Sequence, residues 1–254
     1  MAAEPEPAVK SVKTNFDIIH AVLETDGARI TELADRLDMP LSTLHDHLGT
    51  LKQLDYVVQR GQRYHVGIRF LNIGGQARNT YKVYRVGKPV IDQLARTTGD
   101  HANMLIEEHG IGALVYKAVG EEAIQLDTYT GMRMHLHTTA MGKALLAHMS
   151  REQVEDIVEE RGLPAVTEHT ITDLDSLVEQ LQETRERGYA RDFEERIDGV
   201  SCVAAPILGT DGEPIAAVSV SGPTQKIRGG NEFESLIDSV QRAANVIEVN
   251  LTFS

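Results

Sequence analysis

Polar side chains occupy one face of a predicted helix near the start of the chain. From Ser42 onward leucines recur at spacings of three and four, so Leu44, Leu48, Leu51 and Leu54 share a buried face. The outward face presents hydroxyl, imidazole and carboxylate groups, which can bond to base edges in the major groove of DNA. Its members are Ser42, Thr43, His45, Asp46, His47 and Thr50.

Two arginines follow at positions suited to DNA phosphates. β-forming runs at 56–58 and 64–66 flank the turn sequence Arg60-Gly61-Gln62-Arg63. This pattern predicts a hairpin that carries Arg60 and Arg63 at its tip. Guanidinium groups there would contact the backbone of DNA while the preceding helix reads bases.

The elements before these residues complete a winged helix-turn-helix. A second helix, capped by Thr31, ends at Asp38-Met39-Pro40. A first amphipathic helix ends near Asp26-Gly27 and has an apolar stripe of Val12, Phe16, Ile19 and Leu23. Three short helices and a hairpin also occur in protein-interaction modules. The arginines at the hairpin tip favour DNA.

Two serines near the end of the chain could bind a small molecule. Ser219 and Ser221 lie two residues apart on a predicted strand, so both hydroxyls face one side of it. Beside free backbone N–H groups at a helix start, they could hold a carboxylate or a polyol. The alternative is that both hydroxyls satisfy nearby backbone groups.

Other residues would suit an enzyme or a metal site. Cys202 could be a nucleophile with His137 as base and Asp192 as the orienting group, although a lone cysteine in an apolar strand is more often a buried small hydrophobe. His135 and His137 would point the same way on a strand and could share a metal ion with Asp192, Glu194 or Glu195. Histidines two apart are also common on solvated faces. No catalytic residue, metal or cofactor is therefore predicted, and an enzyme of small acids with an accessory winged helix stays the alternative.

The charge of the chain is unevenly divided. Of a net charge of −13, residues 1–80, with nine Lys/Arg and ten Asp/Glu, carry −1, whereas residues 81–254, with 16 and 28, carry −12. Near-neutrality is unusual for a surface that approaches phosphate. A saline cytoplasm would explain it, because at about 1 M salt the Debye length is roughly 3 Å and acidic repulsion is screened. We therefore expect a halophilic protein.

Length and composition limit the protein class. The chain of 254 residues predicts two domains. No apolar run reaches the roughly 18 residues that span a membrane, and residues 1–10, expected to be a disordered tail, have the wrong charge for a signal peptide. The single cysteine, Cys202, excludes an intrachain disulfide. These features predict a cytoplasmic protein.

Residues after the hairpin predict a helical linker and an antiparallel α+β domain. Phe70 to Thr98 is largely helical, with breaks expected at Gly74-Gly75 and Pro89. Predicted hairpins join 101–107 to 113–119 and 200–208 to 214–221, with helices at 150–160 and 173–188. Grouped hairpins are typical of a sensor domain rather than a βαβ enzyme core. A last helix has an apolar stripe of Phe233, Leu236, Val240, Ala244, Ile247 and Leu251.

Three strings in this second domain resemble the IclR family of transcriptional regulators. They are HTTAMGKALLA at 137–147, RGYARDFEE at 187–195 continuing to GVSCVAAP at 199–206, and AVSVSGP at 217–223. Their order and spacing extend the resemblance from about Val12 to the last helix. It implies a winged helix-turn-helix at 11–68, a dimerising linker helix at 69–85, a GAF-like effector domain at 86–254, and a homodimer that pairs into a dimer of dimers.

The resemblance also implies a site and a function. The effector, a sugar, sugar acid or keto acid, would be held by Ala140, Met141, Asp192, Cys202, Ser219 and Ser221. The protein would bind a double-stranded DNA operator and control sugar or organic-acid catabolism. Leu41 and Asp46 stand where the family commonly has a lysine and an arginine, which predicts a different operator.

Overall fold

A computed structural model describes residues 8–228 and 230–253, and the chain divides after Ala77 into two compact units. The predicted tail lies outside the described residues up to residue 7, and the first helix begins at Lys10. Between Lys10 and Val66 the first unit contains three helices and one antiparallel hairpin, which confirms the predicted winged helix-turn-helix. Its elements are α1 (Lys10–Glu24), α2 (Ile30–Leu37), α3 (Leu41–Gln53), β1 (Val57–Arg60) and β2 (Arg63–Val66).

Helix α1 buries a different face from the one predicted. Its core residues are Ile18, Ile19, Ala21 and Val22. By contrast, Val12, Phe16 and Leu23 are more than half exposed, at 53%, 52% and 57%. Apolar residues lie on two sides of this helix, and a spacing of three and four fits both. Only the packing of α2 and α3 decides which side is buried.

Two predictions at helix ends are also wrong. Helix α2 begins at Ile30, so Thr31 lies inside it, and the Glu32 carboxylate accepts the backbone N–H of Arg29 at 2.9 Å. Leu54 follows the last residue of α3 and is 49% exposed, because the helix that would have buried it has ended. Asp38, in the left-handed region at φ +48°, ends α2 as predicted.

The segment from Phe70 to Thr98 contains a linker helix and a second helix, as expected, but they are separated at a different residue. Helix α4 (Arg69–Thr80) runs through Gly74 and Gly75, and α5 (Lys82–Thr98) runs through Pro89, so both predicted breaks are wrong. The break lies at Tyr81, where the Arg85 guanidinium bonds the carbonyl oxygens of Asn79 and Thr80. These two carbonyl oxygens therefore have a hydrogen-bond donor even though no further helical turn follows them. Pro89 is tolerated because it and Arg85, whose carbonyl it leaves without a helical donor, both lie on the exposed side of α5.

The second unit is built on a six-stranded antiparallel sheet. Its spatial order is β5-β4-β3-β8-β7-β6, which confirms the predicted antiparallel α+β domain. The His109-Gly110 turn, with both residues at positive φ, joins β3 to β4. The strands are β3 (His101–Glu108), β4 (Ile111–Val119), β5 (Arg133–His135), β6 (Ala190–Phe193), β7 (Val200–Leu208) and β8 (Pro214–Pro223).

Helices cover both faces of this sheet. On one face α5 and α10 (Gly230–Phe253) bury Ala102, Val203, Val218 and Val220. The predicted stripe of α10 is confirmed, since its residues lie in or against this core. On the other face lie α6 (Ala140–Leu146), α7 (Arg151–Arg161) and α8 (Leu174–Arg187), and the short α9 (Thr224–Ile227) follows β8. Among the described helices, none combines the length and apolar composition that crossing a bilayer requires.

Local capping fixes the predicted ends of α7 and α8. Ser150 and Gln153 form a reciprocal capping box at the start of α7. The Asp173 carboxylate accepts the Ser176 N–H at 2.9 Å at the start of α8, and Gly188 ends that helix in the left-handed region. These predictions are confirmed. The two helices enclose the face of the sheet on which α6 lies.

We expect Gly142→Ala to destabilise the second unit. A Cβ at Gly142 would lie 2.1 Å from the Leu136 carbonyl oxygen, a backbone atom that cannot move aside, so the cost should be about 1–3 kcal/mol. Gly87→Ala is the matched control, because its Cβ would meet the flexible end of Met104 and a methyl of Ile247. Urea denaturation measures both. Equal losses would show that close packing of α6 is not required.

Candidate functional site

A cavity lies in the second unit between the sheet and α6. It collects all six residues that the family resemblance assigned to an effector. Ala140 and Met141 come from the start of α6, and the other four come from three adjacent strands. The six are Ala140, Met141, Asp192, Cys202, Ser219 and Ser221.

Strand register explains why the polar residues share one wall. Asp192 lies opposite Cys202, and Cys202 lies opposite Ser221. Two residues along, Ser219 lies opposite Asn103. Residues opposite each other in a sheet project from the same face, so these side chains form two polar rows under α6.

Asn103 bonds both serines. Its amide nitrogen donates to the Ser221 hydroxyl oxygen at 2.9 Å and approaches that of Ser219 at 3.4 Å. Within the described part of the chain, neither serine hydroxyl bonds to the backbone, so the alternative of local satisfaction is wrong. Both oxygens accept from Asn103, and the Ser221 hydroxyl also bonds the Cys202 sulfur, so the O–H of Ser219 is the one available to donate into the cavity. The sequence analysis did not identify Asn103, although it is a polar amide in the otherwise apolar strand that begins at His101.

The start of α6 contributes an apolar wall. Ala140 and Met141 are buried there. Thr139, which precedes them, accepts the Gly142 N–H at 3.0 Å and so caps the helix. The backbone N–H expected to hold a ligand at this position is therefore already used in part.

A buried ion pair lies behind the cavity. Lys143 of α6 is fully buried, and its Nζ donates to Glu195 Oε1 at 2.5 Å. The Glu195 backbone N–H donates to Asp192 Oδ1 at 2.8 Å. Lys143 and Glu195 thereby connect α6 to the strand that carries Asp192. The sequence placed Lys143 in a family-like string but gave no sign of its partner 52 residues away.

Burial changes the ionisation of two members of this cluster. Desolvation raises the pKa of Asp192 to about 7, against the opposing effect of the nearby Lys143 ammonium. Desolvation also lowers the pKa of Lys143, and the Glu195 carboxylate opposes that shift. Asp192 therefore gains and loses its proton near neutral pH and is not a permanently anionic carboxylate.

The proposed nucleophile lacks the surroundings it would need. Burial raises the pKa of the Cys202 thiol, so the reactive thiolate is disfavoured. The Nε2 atom of His137 lies 3.1 Å from the Pro164 carbonyl oxygen, and no hydrogen bond links this imidazole to Cys202 or Asp192 in the described chain. Cys202 instead packs against the apolar residues below α6.

The two histidines do not gather further ligands. The His135 and His137 ring centroids are 5.7 Å apart, and burial lowers the pKa of both. Across residues 8–228 and 230–253, no group of three or more His, Cys, Asp and Glu side chains has the arrangement of a metal site.

Most of the predicted DNA-contacting residues of α3 are exposed. Ser42, Thr43, His45, Asp46 and Thr50 are free of the core. His47 differs, since it is half buried and its Nδ1 lies 2.9 Å from Asn15 Oδ1 on α1. This contact ties α3 to α1, and the prediction that His47 contacts DNA stays a prediction.

The two hairpin arginines have different surroundings. Arg63 donates to the Gly27 carbonyl at 2.8 Å and lies 3.4 Å from the Glu32 carboxylate. Arg60 is exposed and has no ion-pair partner within the residues described. Arg63 therefore anchors the hairpin to α2, and Arg60 carries the cation that is free to meet phosphate.

Comparison with known proteins covers both units. The family model of the IclR helix-turn-helix domain matches residues 14–61, and that of the bacterial transcriptional regulator IclR C-terminal region matches residues 76–249. The probable HTH-type transcriptional regulator ArcR of Halobacterium salinarum is 34% identical over 247 residues, which are 96% of this chain and 94% of that protein.

Solved structures agree with the sequence comparison. The crystal structure of Thermotoga maritima IclR has a TM-score of 0.81 and 25% identity, and the match covers 95% of this chain and 98% of that one. An IclR homologue from Microbacterium hydrocarbonoxydans, crystallised with 4-hydroxybenzoate, has a TM-score of 0.80 and 21% identity, with 95% and 99% covered. The second likeness shows the fold alone.

We expect Asp192→Asn to change how stability depends on pH. The raised pKa means that the folded protein keeps the Asp192 proton up to about pH 7, whereas the unfolded chain releases it near pH 3.8. This contribution to stability is therefore complete below pH 3.8 and is lost as pH rises through about 7. The free energy of unfolding of the wild type relative to Asp192→Asn should fall by about 1.4 kcal/mol per pH unit in that window.

Urea titrations at a series of pH values measure this difference. Asp198→Asn removes the same charge from an exposed position in the β6–β7 turn and serves as the control, whose difference from the wild type should show no such slope. If the difference in free energy of unfolding between the wild type and Asp192→Asn did not change with pH, this carboxyl would titrate in the folded protein as it does in the unfolded chain.

Proposed function

The chain belongs to the IclR family of DNA-binding transcriptional regulators, and from that premise we propose that it binds its operator as a dimer under the control of a small molecule held in the cavity beneath α6. The cavity is the observation that carries this proposal. It is enclosed by α6 and the sheet, has donors on one wall and apolar groups on the other, and lies in a unit separate from the helix-turn-helix.

The first unit supplies the proposed contacts with DNA. The exposed face of α3 would read bases through Thr43, His45 and Asp46, while Arg60 contacts a phosphate beside them. Lys52, whose Nζ lies 3.1 Å from Gln59 Oε1 in the hairpin, adds a second cation near this surface. Because Asp46 can accept from the cytosine amino group, we propose an operator with cytosine in its half-sites.

Exposed apolar residues support the proposed dimer. Helix α4 buries no residue within its own chain, and Ile68 and Leu71 beside its start are 81% and 70% exposed. A second copy of the chain would cover such residues, as the family resemblance implies. With one winged helix per chain, a dimer would bind a palindromic site whose half-sites are about one helical turn apart.

The finer function follows from the family and the habitat of a relative. We propose control of sugar or organic-acid catabolism, since the hydrogen-bonding groups of the cavity suit sugar acids and keto acids. The similar regulator from Halobacterium salinarum and the acidic second unit both support a protein that works in high salt. Binding of such a ligand would change DNA binding through α4, which joins the two units along the chain.

We expect operator affinity to depend weakly on salt. Within the part of residues 1–80 that the structure describes, carboxylates pair with at least four of the nine lysines and arginines, namely Lys13, Arg36, Arg63 and Arg69. Few cations remain to release counterions, and each phosphate contact contributes only about 0.9 to the slope of log K against log salt. Arg60→Ala should lower that slope by about 0.9 and weaken all sites alike, whereas Thr43→Ala should change base preference.

Fluorescence anisotropy on a duplex selected from random sequence measures the slope, and nuclease footprinting defines the site. Gln62→Ala, in the same turn, is the control for loss of a neutral side chain. Protection of one asymmetric half-site, or no protection at all, would contradict binding as a dimer. A steep loss of affinity with salt in a folded protein would contradict the high-salt proposal.

We expect the double variant Ser219→Ala, Ser221→Ala to lose its response to the small molecule while keeping operator affinity. Both hydroxyls leave the cavity, but nothing changes in the first unit. Operator affinity is measured with and without sugar acids and keto acids. Ser235→Ala with Ser239→Ala removes two exposed hydroxyls from α10 and should respond normally. An unchanged response in the cavity variant would place the ligand elsewhere.

A further inference from the structure

One helix of the second unit carries a cationic face that the proposed function does not use. Four lysines and arginines recur at spacings of three, three and eight residues along α5, and all four side chains are exposed, whereas the core lies on the opposite side of the helix. They form the basic face of α5, which consists of Lys82, Arg85, Lys88 and Arg96. This face is about 21 Å long, because an α-helix rises about 1.5 Å per residue.

The basic face of α5 contrasts with the rest of its unit. Helix α5, with four Lys/Arg and one Asp, carries +3, whereas the other residues of 81–254, with 12 and 27, carry −15. A polyanion would therefore be attracted to this helix and repelled by most of the remaining unit. Cations aligned along one helix are typical of a surface that binds nucleic acid.

Contacts within the chain leave the charge of two arginines uncompensated. Arg85 donates to two backbone carbonyl oxygens at the break between α4 and α5. Arg96 donates to the amide oxygen Oε1 of Gln93 at 2.9 Å. These acceptors are neutral, and no Asp or Glu oxygen in the described part of the chain lies within ion-pair distance of either guanidinium. Each guanidinium has five N–H donors, so both arginines keep donors that a phosphate can accept.

The single carboxylate of α5 is already paired. Asp92 lies 2.9 Å from the Lys88 ammonium, and its Oδ1 accepts the Tyr116 hydroxyl at 2.6 Å. Asp92 and Lys88 therefore largely cancel each other's charge. Arg85 and Arg96 are then the cations on which binding of a polyanion would depend.

We propose that the basic face of α5 contacts the phosphate backbone of operator DNA beside the half-sites read by α3. This inference rests on the proposed function and adds to it a second contact surface that is independent of base sequence. DNA is favoured over an acidic protein because a duplex carries one negative charge per about 1.7 Å of its axis, and because guanidinium groups match phosphate oxygens in geometry.

The connection between the two units is short enough for both to reach one duplex. Helix α4 has 12 residues and is therefore about 18 Å long, whereas one turn of DNA is about 34 Å. Only Tyr81 separates α4 from α5. Phosphates within a turn of each half-site are the ones that α5 would contact.

The experiment varies the length of DNA outside the operator. Fluorescence anisotropy with the full-length protein compares a duplex that ends at the footprinted half-sites with one extended by about ten base pairs, one helical turn, at each end. The titrations begin at the lowest salt in which circular dichroism shows folded protein. The extended duplex should bind about tenfold more tightly there, and its slope of log K against log salt should be steeper by about 0.9 for each added phosphate contact.

Variants of α5 should remove this gain. Arg85→Gln with Arg96→Gln should abolish it and leave affinity for the short duplex unchanged. Because Arg85 also bonds the carbonyl oxygens at the helix break, Arg96→Glu is measured separately, and it should remove most of the gain with that contact intact. Arg151→Gln with Arg185→Gln is the matched control, since it removes two exposed arginines from α7 and α8 and should keep the full gain.

The inference is overturned if flanking DNA adds no affinity, if the α5 variants keep the gain, or if the control variant loses it equally. Sedimentation of the α5 variants without DNA tests the other occupant of this face. An assembly smaller than that of the wild type would assign the face to the acidic surface of a second copy and would also overturn the inference. Failure of the wild type to bind the short duplex would instead refute the proposed function.

Discussion

The buried pair of Lys143 and Glu195 determines the geometry of the second unit's cavity. An ammonium that is fully removed from water requires an anion, and the only carboxylate in ion-pair contact with it among the described residues lies in the β6–β7 turn. Helix α6 is thereby fixed over that turn. The apolar wall of Ala140 and Met141 and the polar wall of Asp192 and Arg196 face each other as a consequence.

This pair is better explained by placement than by stability. Desolvating two charges costs about as much as their attraction returns, and a well-packed apolar pair would often be equally stable. Apolar contacts, however, are non-directional, whereas the ion pair joins α6 to one point of the β6–β7 turn. The Glu195 backbone N–H also holds Asp192, so one residue fixes both the helix and the carboxyl that changes ionisation near pH 7. A binding cavity requires walls held to this precision.

Local features were predictable from sequence, and distant contacts were not. The hairpins, the capping box of Ser150 and the shared face of Ser219 and Ser221 each follow from neighbouring residues. The six cavity residues came from the resemblance to a family, and the structure brings them together without showing what binds there. The buried face of α1, the break at Tyr81 and the partner of Lys143 depend on contacts between distant elements. Helical spacing cannot select among faces that are all apolar, and no spacing predicts which carboxylate meets a buried lysine.

The first unit keeps two cations beside α3 although its net charge is almost neutral. Its carboxylates neutralise cations away from the recognition face, as with Asp17 beside Lys13 and Glu24 beside Arg36. Arg63 is used to anchor the hairpin to α2, which leaves Arg60 and Lys52 as the cations beside α3. On the proposed interface, affinity for DNA would come more from base contacts and shape than from counterion release, since counterion release scales with the number of neutralised phosphates. Such a surface keeps its specificity where salt is high, because direct hydrogen bonds to bases are far less screened than long-range charge attraction.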